Sequence, residues 1–210
     1  MIPIARDAFL FLIPLLGIAG ALFLLRLPGW GLLPLALAVG VGLFFRDPER
    51  VVPDGPGVVV APADGRVVVV REGVGADGEG QGPHSLISIF LSVLDVHVNR
   101  APYGGKVDDL QYRRGRFVVA WRDEASRVNE QAVIALVTPD GPVTVKQIAG
   151  VLARRVVTWI RRGQEVRTGE RIGLIRFGSR VDLLVPRRVA LAVKVGDRVR
   201  GGETVVGVFR

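Results

Sequence analysis

The sequence predicts a mainly β protein of the α+β class, with a β domain that follows an N-terminal hairpin of two helices. Two long apolar runs without charge occupy the first 45 residues. Short runs of β-branched residues, bounded by Gly, Pro and Asp, fill the remainder and are typical of strands. We therefore expect two domains, a helical hairpin over residues 1–45 and a β domain over residues 46–210.

The two apolar runs predict a transmembrane hairpin. Residues 8–25 and residues 30–45 carry no charge, and only Arg-Leu-Pro-Gly separates them. Each run is close to the ~20 residues that a helix needs to cross a bilayer, and the Pro-Gly pair favours a reversal. The second run is marginal by length, so whether it spans fully is left open. A signal peptide is disfavoured because the first run is too long, only Arg6 precedes it, and no small-residue cleavage site follows.

The positive charge belongs to the β domain. The net charge of the chain is +8. The first 45 residues contain two positive side chains, Arg6 and Arg26, and one negative side chain, Asp7, so their net charge is +1 and that of the remaining residues is +7. Arg46 and Arg50 follow the second apolar run, so the positive-inside tendency places the β domain on the cytoplasmic side of the cell membrane. We expect anionic headgroups rather than nucleic acid as partner, because the arginines are scattered and no nucleic-acid-binding motif accompanies them.

Ten segments are predicted strands. Helical periodicity is weak beyond the hairpin, so we expect only one or two short helices there, and the chain is long enough for one hydrophobic core. The predicted strands are residues 58–60, 67–70, 86–91, 117–120, 132–137, 143–148, 156–160, 172–175, 181–185 and 205–209.

An internal repeat lies near the C-terminus. The pattern Gly-x-x-Val-x-x-Gly-Glu-x-Ile/Val occurs at residues 163–172 and again at 196–205. It predicts a quasi-symmetric pair of β-hairpins packed face to face. The arrangement resembles the barrel-sandwich hybrid of lipoyl and biotinyl domains. Those domains carry their cofactor on a Lys of a separate exposed hairpin, whereas Lys194 lies at a strand position, so a carrier function is not expected.

The composition leaves few residue types for catalysis. The absence of Cys excludes disulfides and Cys-based zinc, iron–sulfur or thiol chemistry, and two His leave little for a metal site, so no metal is expected. The chain also contains no Walker loop, no Gly-x-Ser-x-Gly elbow and no dinucleotide-binding fingerprint.

Six short stretches carry the remaining functional pattern. In chain order they are Phe-Phe-Arg-Asp-Pro at 44–48, Ala-Pro-Ala-Asp-Gly-Arg-Val at 61–67, Leu-Ser-Val-Leu-Asp-Val-His-Val-Asn-Arg-Ala-Pro at 91–102, Asn-Glu at 129–130, Gln-Ile-Ala-Gly at 147–150 and Ile-Arg-Phe-Gly-Ser-Arg-Val-Asp at 175–182. Together they resemble the short, archaeal-type class of phosphatidylserine decarboxylases, which are pyruvoyl enzymes made as self-cleaving proenzymes. The resemblance covers nearly the whole chain.

The resemblance implies that the cofactor comes from the chain itself. Decarboxylation of an amino acid leaves a carbanion, and stabilising it takes an electrophilic carbonyl that no side chain supplies. In the family, a Ser after Gly attacks the preceding carbonyl and becomes a pyruvoyl group. Carried over to Gly178 and Ser179, this cut gives fragments 1–178 and 179–210, which we expect to stay together as a heterodimer. Without the other stretches, Gly-Ser would favour an ordinary turn between the strands at 172–175 and 181–185.

His97 is the leading candidate for the base of self-cleavage and for the acid of decarboxylation. Asp64 matches the Asp of the family's Asp-His-Ser arrangement, and Asp95 is a second candidate to orient the histidine or to bind substrate. Asp64 is also typical of an Asp-Gly turn, and Asp95 of a cap. The division of labour among these three residues is left open, as is a substrate contact of Asn129 and Glu130.

Two positions depart from the family pattern. Longer members carry Asp-x-His-x-x-His-x-Pro, whereas the second His is Arg100 here. Because Arg stays protonated, Arg100 is expected to bind a substrate carboxylate or phosphate, or else His97 serves both steps. The cleavage motif is Phe-Gly-Ser-Arg instead of Leu-Gly-Ser-Thr. His84 matches nothing in the family pattern and is left unassigned.

The expected function is pyruvoyl-dependent decarboxylation of phosphatidylserine to phosphatidylethanolamine at the membrane. A decarboxylase of another serine phospholipid, such as an ether lipid, fits the residues equally well. A membrane-tethered, non-catalytic barrel-sandwich adaptor is the alternative from a different class, and it predicts an uncut chain. The sequence leaves oligomeric state and acyl-chain preference open.

Overall fold

The computed structural model describes residues 4–122, 124–151, 155–176 and 178–210. The chain divides into two compact units, Met1–Glu49 and Arg50–Arg210. The division lies four residues beyond the end of the predicted helical hairpin. The predicted cleavage motif includes Phe177, which lies outside the described residues.

The first unit contains two apolar helices. A 3-10 turn at Arg6–Ala8 leads into α1 (Phe9–Leu24), and α2 (Pro28–Phe44) begins at a proline, whose fixed φ suits a first helical position. The ends are joined, because the Ala5 amide donates a 2.8 Å hydrogen bond to the Phe45 carbonyl. The segment Arg6–Leu24 is long and apolar enough to cross a membrane, whereas α2 is shorter.

The second unit is mainly β, as predicted, and its described residues include one short helix, α3 (Ala125–Val128). Its described strands are β1 (Val58–Val60), β2 (Gly65–Val74), β3 (His84–Leu91), β4 (Val98–Arg100), β5 (Gly105–Arg113), β6 (Gln131–Thr138), β7 (Gly141–Ala149), β8 (Val156–Thr158), β9 (Glu165–Val166), β10 (Arg171–Ile175), β11 (Ser179–Pro186), β12 (Val189–Leu191), β13 (Arg198–Val199) and β14 (Val205–Phe209).

A curled, eight-stranded antiparallel sheet dominates this unit, with the strand order β13-β2-β3-β11-β7-β6-β5-β9. Two three-stranded sheets accompany it, β1-β14-β12 and β4-β10-β8. Alternate residues along β3, β7 and β11 enter one hydrophobic core, as in Ile89, Val145 and Val181. The strand that begins at Ser179, β11, lies between β3 and β7 near the middle of the largest sheet.

The internal repeat is visible in the topology, but its two units are not hairpins. The first strands of the units, β9 and β13, lie at opposite edges of the large sheet, and the second strands, β10 and β14, are the middle strands of the two small sheets. The turn glycines Gly169 and Gly202 have φ of 76° and 78°, and their amides donate to the carbonyls of Ala101 and Ala61. The hairpin prediction was wrong because these turns send the two strands of each unit into different sheets.

The strand predicted at residues 117–120 is also wrong. This segment belongs to a loop between β5 and β6, since the side chain of Asn129 bonds both the amide and the carbonyl of Val118. Conversely, β5 was not predicted, because its sequence alternates only weakly and many of its side chains are exposed.

Candidate active site

Ser179 is buried at the start of β11. It pairs with Leu91 of β3 on one side and with Ala149 of β7 on the other. Its side chain is fully buried, and its Oγ has no hydrogen-bond partner among the described residues. Gly178 before it has a φ of 65°, in the left-handed region that favours glycine. A buried, unsatisfied hydroxyl is costly, so the environment of Ser179 Oγ requires an explanation.

His97 lies beside Gly178. The Gly178 amide donates to His97 Nε2 at 3.4 Å, and His97 Nδ1 lies 2.9 Å from the carbonyl oxygen of Asp95. A carbonyl only accepts hydrogen bonds, so Nδ1 carries the ring proton and Nε2 holds a lone pair. The ring is buried, and the two contacts fix its tautomer and orientation.

The Asp95 carboxylate closes a turn. Asp95 Oδ2 accepts hydrogen bonds from the amide of Ser92 at 2.8 Å and from its hydroxyl at 2.6 Å. Its other oxygen lies 3.6 Å from a guanidinium nitrogen of Arg198. The backbone carbonyl of Asp95, rather than its side chain, therefore orients His97. A substrate contact of Asp95 stays a prediction.

Asp64 is held by an ion pair. Its Oδ2 lies 2.8 Å from Arg50 Nη2, and its Oδ1 accepts the Gly201 amide at 2.8 Å. Burial raises the pKa of Asp64, although the Arg50 charge and the hydrogen bonds oppose this shift. Asp64 therefore anchors the loop at Gly201, and its catalytic role stays a prediction.

Arg100 lines a cleft that does not include Gly178. Its Nη1 donates to the Gly169 carbonyl at 3.0 Å, and the side chain is buried. The cleft it lines is formed with Arg50, Val52 and residues 165–170. The expected role of Arg100 in binding substrate stays a prediction.

Gly150 faces the carbonyl of Gly178. The ladder between β11 and β7 ends at the Ser179–Ala149 pair, so Gly178 and Gly150 are the next residues on each side. A β-carbon on Gly150 would collide with the carbonyl oxygen of Gly178 and lie 3.1 Å from its carbonyl carbon. The sequence pattern includes Gly150 but assigned it no role.

Two buried amides brace the site. Gln147 Nε2 donates to Asn99 Oδ1 at 2.8 Å and thereby links β7, next to Ser179, with β4, which follows His97. Asn129 Nδ2 donates to the carbonyls of Val118 and Ala149 at 2.7 Å each. These contacts explain Asn129 as a residue that holds a loop against the end of β7.

A buried ion pair follows the candidate cleavage site. Arg180 Nε donates to Asp182 Oδ1 at 2.6 Å and Arg180 Nη2 to Ser88 Oγ at 2.7 Å. The same pair holds the loop before β6, because Arg180 Nη1 reaches the Arg122 carbonyl at 3.4 Å and Ser126 Oγ donates to Asp182 at 2.7 Å. The sequence did not predict a role for this pair, because no motif indicates that Arg180 and Asp182 contact each other.

An apolar cleft opens next to Gly178. Its volume is about 420 Å³, and Trp121 packs edge-to-face on Phe90 in its wall with ring centroids 5.6 Å apart. The lining residues are Phe90, Ser92, Val93, Val119, Ala120, Trp121, Val151 and Gly178.

Comparison with known proteins identifies the family. A family model described as phosphatidylserine decarboxylase matches residues 39–207. A phosphatidylserine decarboxylase proenzyme of Syntrophus aciditrophicus is 42% identical over 208 residues, which cover 98% of this chain and 97% of that protein. The proenzyme of Symbiobacterium thermophilum is 50% identical over 172 residues, which cover 81% of this chain and 80% of that protein. The proenzyme of Desulfotalea psychrophila is 47% identical over 165 residues, which cover 78% of this chain and 77% of that protein.

The protein thus falls in a class of carboxy-lyases that are made as proenzymes and generate a pyruvoyl group by self-cleavage. The chain belongs to the phosphatidylserine decarboxylase family. The described residues fit such a group, because the Ser179 hydroxyl is buried without a partner directly after a left-handed glycine. Within the described ranges, no group of three or more His, Asp or Glu side chains could hold a metal ion.

Proposed function

We propose that this protein cuts its own chain between Gly178 and Ser179 and then decarboxylates phosphatidylserine to phosphatidylethanolamine. The observation that carries the proposal is the contact of His97 Nε2 with the amide of Gly178, the residue directly before Ser179, whose hydroxyl is buried without a partner among the described residues. The identity of 42% over almost the full chain with a proenzyme of that name supports the same reaction.

The proposed self-cleavage begins at Ser179. His97 Nε2 takes the proton of Ser179 Oγ, which attacks the Gly178 carbonyl carbon. The peptide C–N bond breaks, an ester replaces it, and the proton passes from His97 to the released Ser179 amine. Removal of the Ser179 α-proton then breaks the ester C–O bond, so residues 1–178 leave with a carboxylate. Water releases ammonia from the resulting dehydroalanine and leaves a pyruvoyl group at position 179.

The pyruvoyl group supplies the electron-withdrawing carbonyl that takes up the electrons of the broken carbon–carbon bond. His97 is proposed to return a proton to the product carbon, because the Asp95 carbonyl and the Gly178 amide hold its ring next to the residue before position 179. Asp64 and Arg100 are proposed to assist, with Arg100 on an anionic part of the substrate.

The two fragments are proposed to remain one heterodimer. All eight residues of β11 pair with β3, and six of them pair with β7, so the small fragment supplies a central strand. It also supplies β12, β13 and β14. Loss of this fragment would expose the core of the large sheet.

We further propose that α1 and α2 insert into the cell membrane as a hairpin, with the β unit on the cytoplasmic side. Support comes from the apolar segment Arg6–Leu24 and from the arginines that follow α2. The β unit is proposed to be a barrel-sandwich hybrid, since the repeat places β9 and β13 at opposite edges of the large sheet.

The test is intact mass and denaturing electrophoresis of the purified protein, with decarboxylation measured on phosphatidylserine. The wild-type chain is expected as two fragments, 1–178 and 179–210, the second with a blocked N-terminus. Ser179→Ala is expected to stay whole and inactive. Ser85→Ala is the matched control, because Ser85 is also buried with an unpartnered Oγ, and it should cut normally. A folded, uncut wild-type chain, or carbon dioxide release by Ser179→Ala, contradicts the proposal.

A further inference from the structure

Four large apolar side chains are exposed together at the mouth of the cleft beside Gly178. Val93, Leu94, Trp121 and Val151 are 47%, 83%, 61% and 50% exposed. We call these four residues the apolar rim. Val93, Trp121 and Val151 also line the cleft, and Leu94 follows Val93 in the chain. Exposed apolar side chains gathered around a cleft mark an interaction surface rather than ordinary surface.

The cleft reaches the candidate reacting residue. Gly178 lies in its wall, whereas Ser179 itself is fully buried. A ligand in the cleft would therefore contact the residue that precedes the reacting position. The cleft is of ordinary ligand size at about 420 Å³, and its lining is almost entirely hydrophobic, which suits hydrocarbon and not a charged group.

Basic residues accompany the apolar rim. Arg122 follows Trp121 and is exposed. Arg155 is exposed as well, and its carbonyl accepts the amide of Arg176, two residues before Gly178. An apolar surface that includes Trp and is flanked by Arg is typical of contact with the interface of an anionic bilayer.

We propose that the apolar rim is a membrane contact of the β unit itself, in addition to the helical hairpin, and that the cleft receives the glycerol backbone and first acyl carbons of a phospholipid. The occupant is an anionic lipid surface, because arginines flank the rim and the candidate reacting residue adjoins the cleft. That the lipid in the cleft is the substrate rests on the proposed function. The membrane contact does not, and it can be measured without turnover.

Tryptophan quenching tests the contact. The protein has three Trp residues, and Trp30 lies in α2, so the probe is the full-length double variant Trp30→Phe/Trp159→Phe, which keeps only Trp121. It is reconstituted into phosphatidylglycerol vesicles with or without brominated acyl chains. The matched control, Trp30→Phe/Trp121→Phe, keeps only Trp159, which is 37% exposed and outside the rim.

Emission from Trp121 is expected to fall at least twofold in brominated vesicles, while that of Trp159 stays within about a tenth of its value. Equal quenching of both residues, or none of Trp121, overturns the proposal. A Trp121 emission that shifts with protein concentration in the absence of lipid also overturns it, since that result assigns the rim to contact between two copies of this chain.

A kinetic arm tests the link to the substrate. The measured quantity is the ratio of two turnover rates, one on phosphatidylserine in vesicles and one on monomeric dihexanoyl-phosphatidylserine. Leu94→Ser is expected to lower this ratio at least fivefold. Val195→Ser is the matched control, because Val195 is 58% exposed and lies outside the rim, and its ratio should equal that of the wild type. An unchanged ratio in Leu94→Ser overturns the substrate link. A wild-type chain that never cuts refutes the proposed function instead, while Trp121 still reports the membrane contact.

Discussion

Gly150 leaves the space into which the carbonyl of Gly178 points. Among the described residues, a β-carbon at position 150 would meet the carbonyl oxygen of Gly178, its carbonyl carbon at 3.1 Å and Ala120 Cβ at 3.2 Å. In the proposed attack of Ser179, this oxygen is the atom that gains negative charge. The backbone of Gly150 therefore sets the position of the bond that is proposed to break.

Gly150→Ala is expected to slow self-cleavage at least tenfold, because the new methyl displaces the Gly178 carbonyl from Ser179 Oγ and misplaced reacting atoms lose rate steeply. The measurement is a time course of intact mass on freshly purified precursor. Gly104→Ala is the control, since a β-carbon there has its nearest neighbour at 3.5 Å. A wild-type rate in Gly150→Ala would remove this glycine from the mechanism.

His97→Ala is expected to leave the precursor uncut for far longer than the wild type, by a factor of roughly 10²–10⁴, because no base remains for the Ser179 proton. Decarboxylation is lost with it. Mass spectrometry and a carbon dioxide assay measure the two effects. His84→Ala is the matched control, because His84 is the second of the two histidines. It pairs with Pro186, at the end of β11 opposite to Ser179. Normal turnover by His97→Ala would exclude His97 from the site.

Arg180→Met is expected to destabilise the protein by roughly 3–5 kcal/mol, since it removes the guanidinium that is ion-paired with the buried carboxylate of Asp182. At roughly 2–4 °C per kcal/mol for a chain of this size, the melting temperature in detergent should fall by about 10 °C. Arg180→Met/Asp182→Leu is expected to recover part of the loss. A double variant that is less stable than the single variant would argue against an uncompensated charge as the cause.

Lys146 should make stability depend on pH in the alkaline range. Burial lowers the pKa of Lys146 below its ordinary value of 10.5, although Asp182 and Asp77 oppose this shift. As pH falls below 10.5, Lys146 becomes protonated in the unfolded chain before it does in the folded protein. Its contribution to stability is therefore fully present above pH 10.5 and is lost as pH falls toward the folded-state pKa.

The free energy of unfolding of the wild type is therefore expected to rise as pH rises from the lowered folded-state pKa of Lys146 toward 10.5, with a slope of at most about 1.4 kcal/mol per pH unit. Lys146→Met should lack this gain and be more stable near pH 7. Lys194→Met, which alters an exposed lysine, should retain the wild-type slope. Parallel pH profiles of wild type and Lys146→Met would contradict the assignment.

The sequence predicted the features that are encoded locally. Runs such as 86–91 and 181–185 became β3 and β11 because β-branched and aliphatic residues favour strands wherever they are buried. The loop at 117–120 has the same composition, but Asn129 holds its backbone outside any ladder. Tertiary hydrogen bonds of this kind have no local pattern in the chain.

The same distinction applies to the site. The Gly-Ser pair and His97 were recognisable as motifs, but the contact between Gly178 and Nε2 joins residues 81 positions apart. The pattern offered carboxylates as partners of His97, and a contact of its Nδ1 with the Asp95 backbone carbonyl could not be predicted from it. Gly150 has meaning only once β7 and β11 are paired, because the pairing brings it opposite Gly178.

The central place of β11 also bears on refolding. The intact precursor carries every strand on one chain, so it can refold at a rate that does not depend on its concentration. After a cut at residue 178, the larger fragment lacks the strand that lies between β3 and β7. Recovery from denaturant then requires two separate molecules to meet, and its rate should rise with concentration. Maturation would thus turn a unimolecular folding reaction into an assembly reaction.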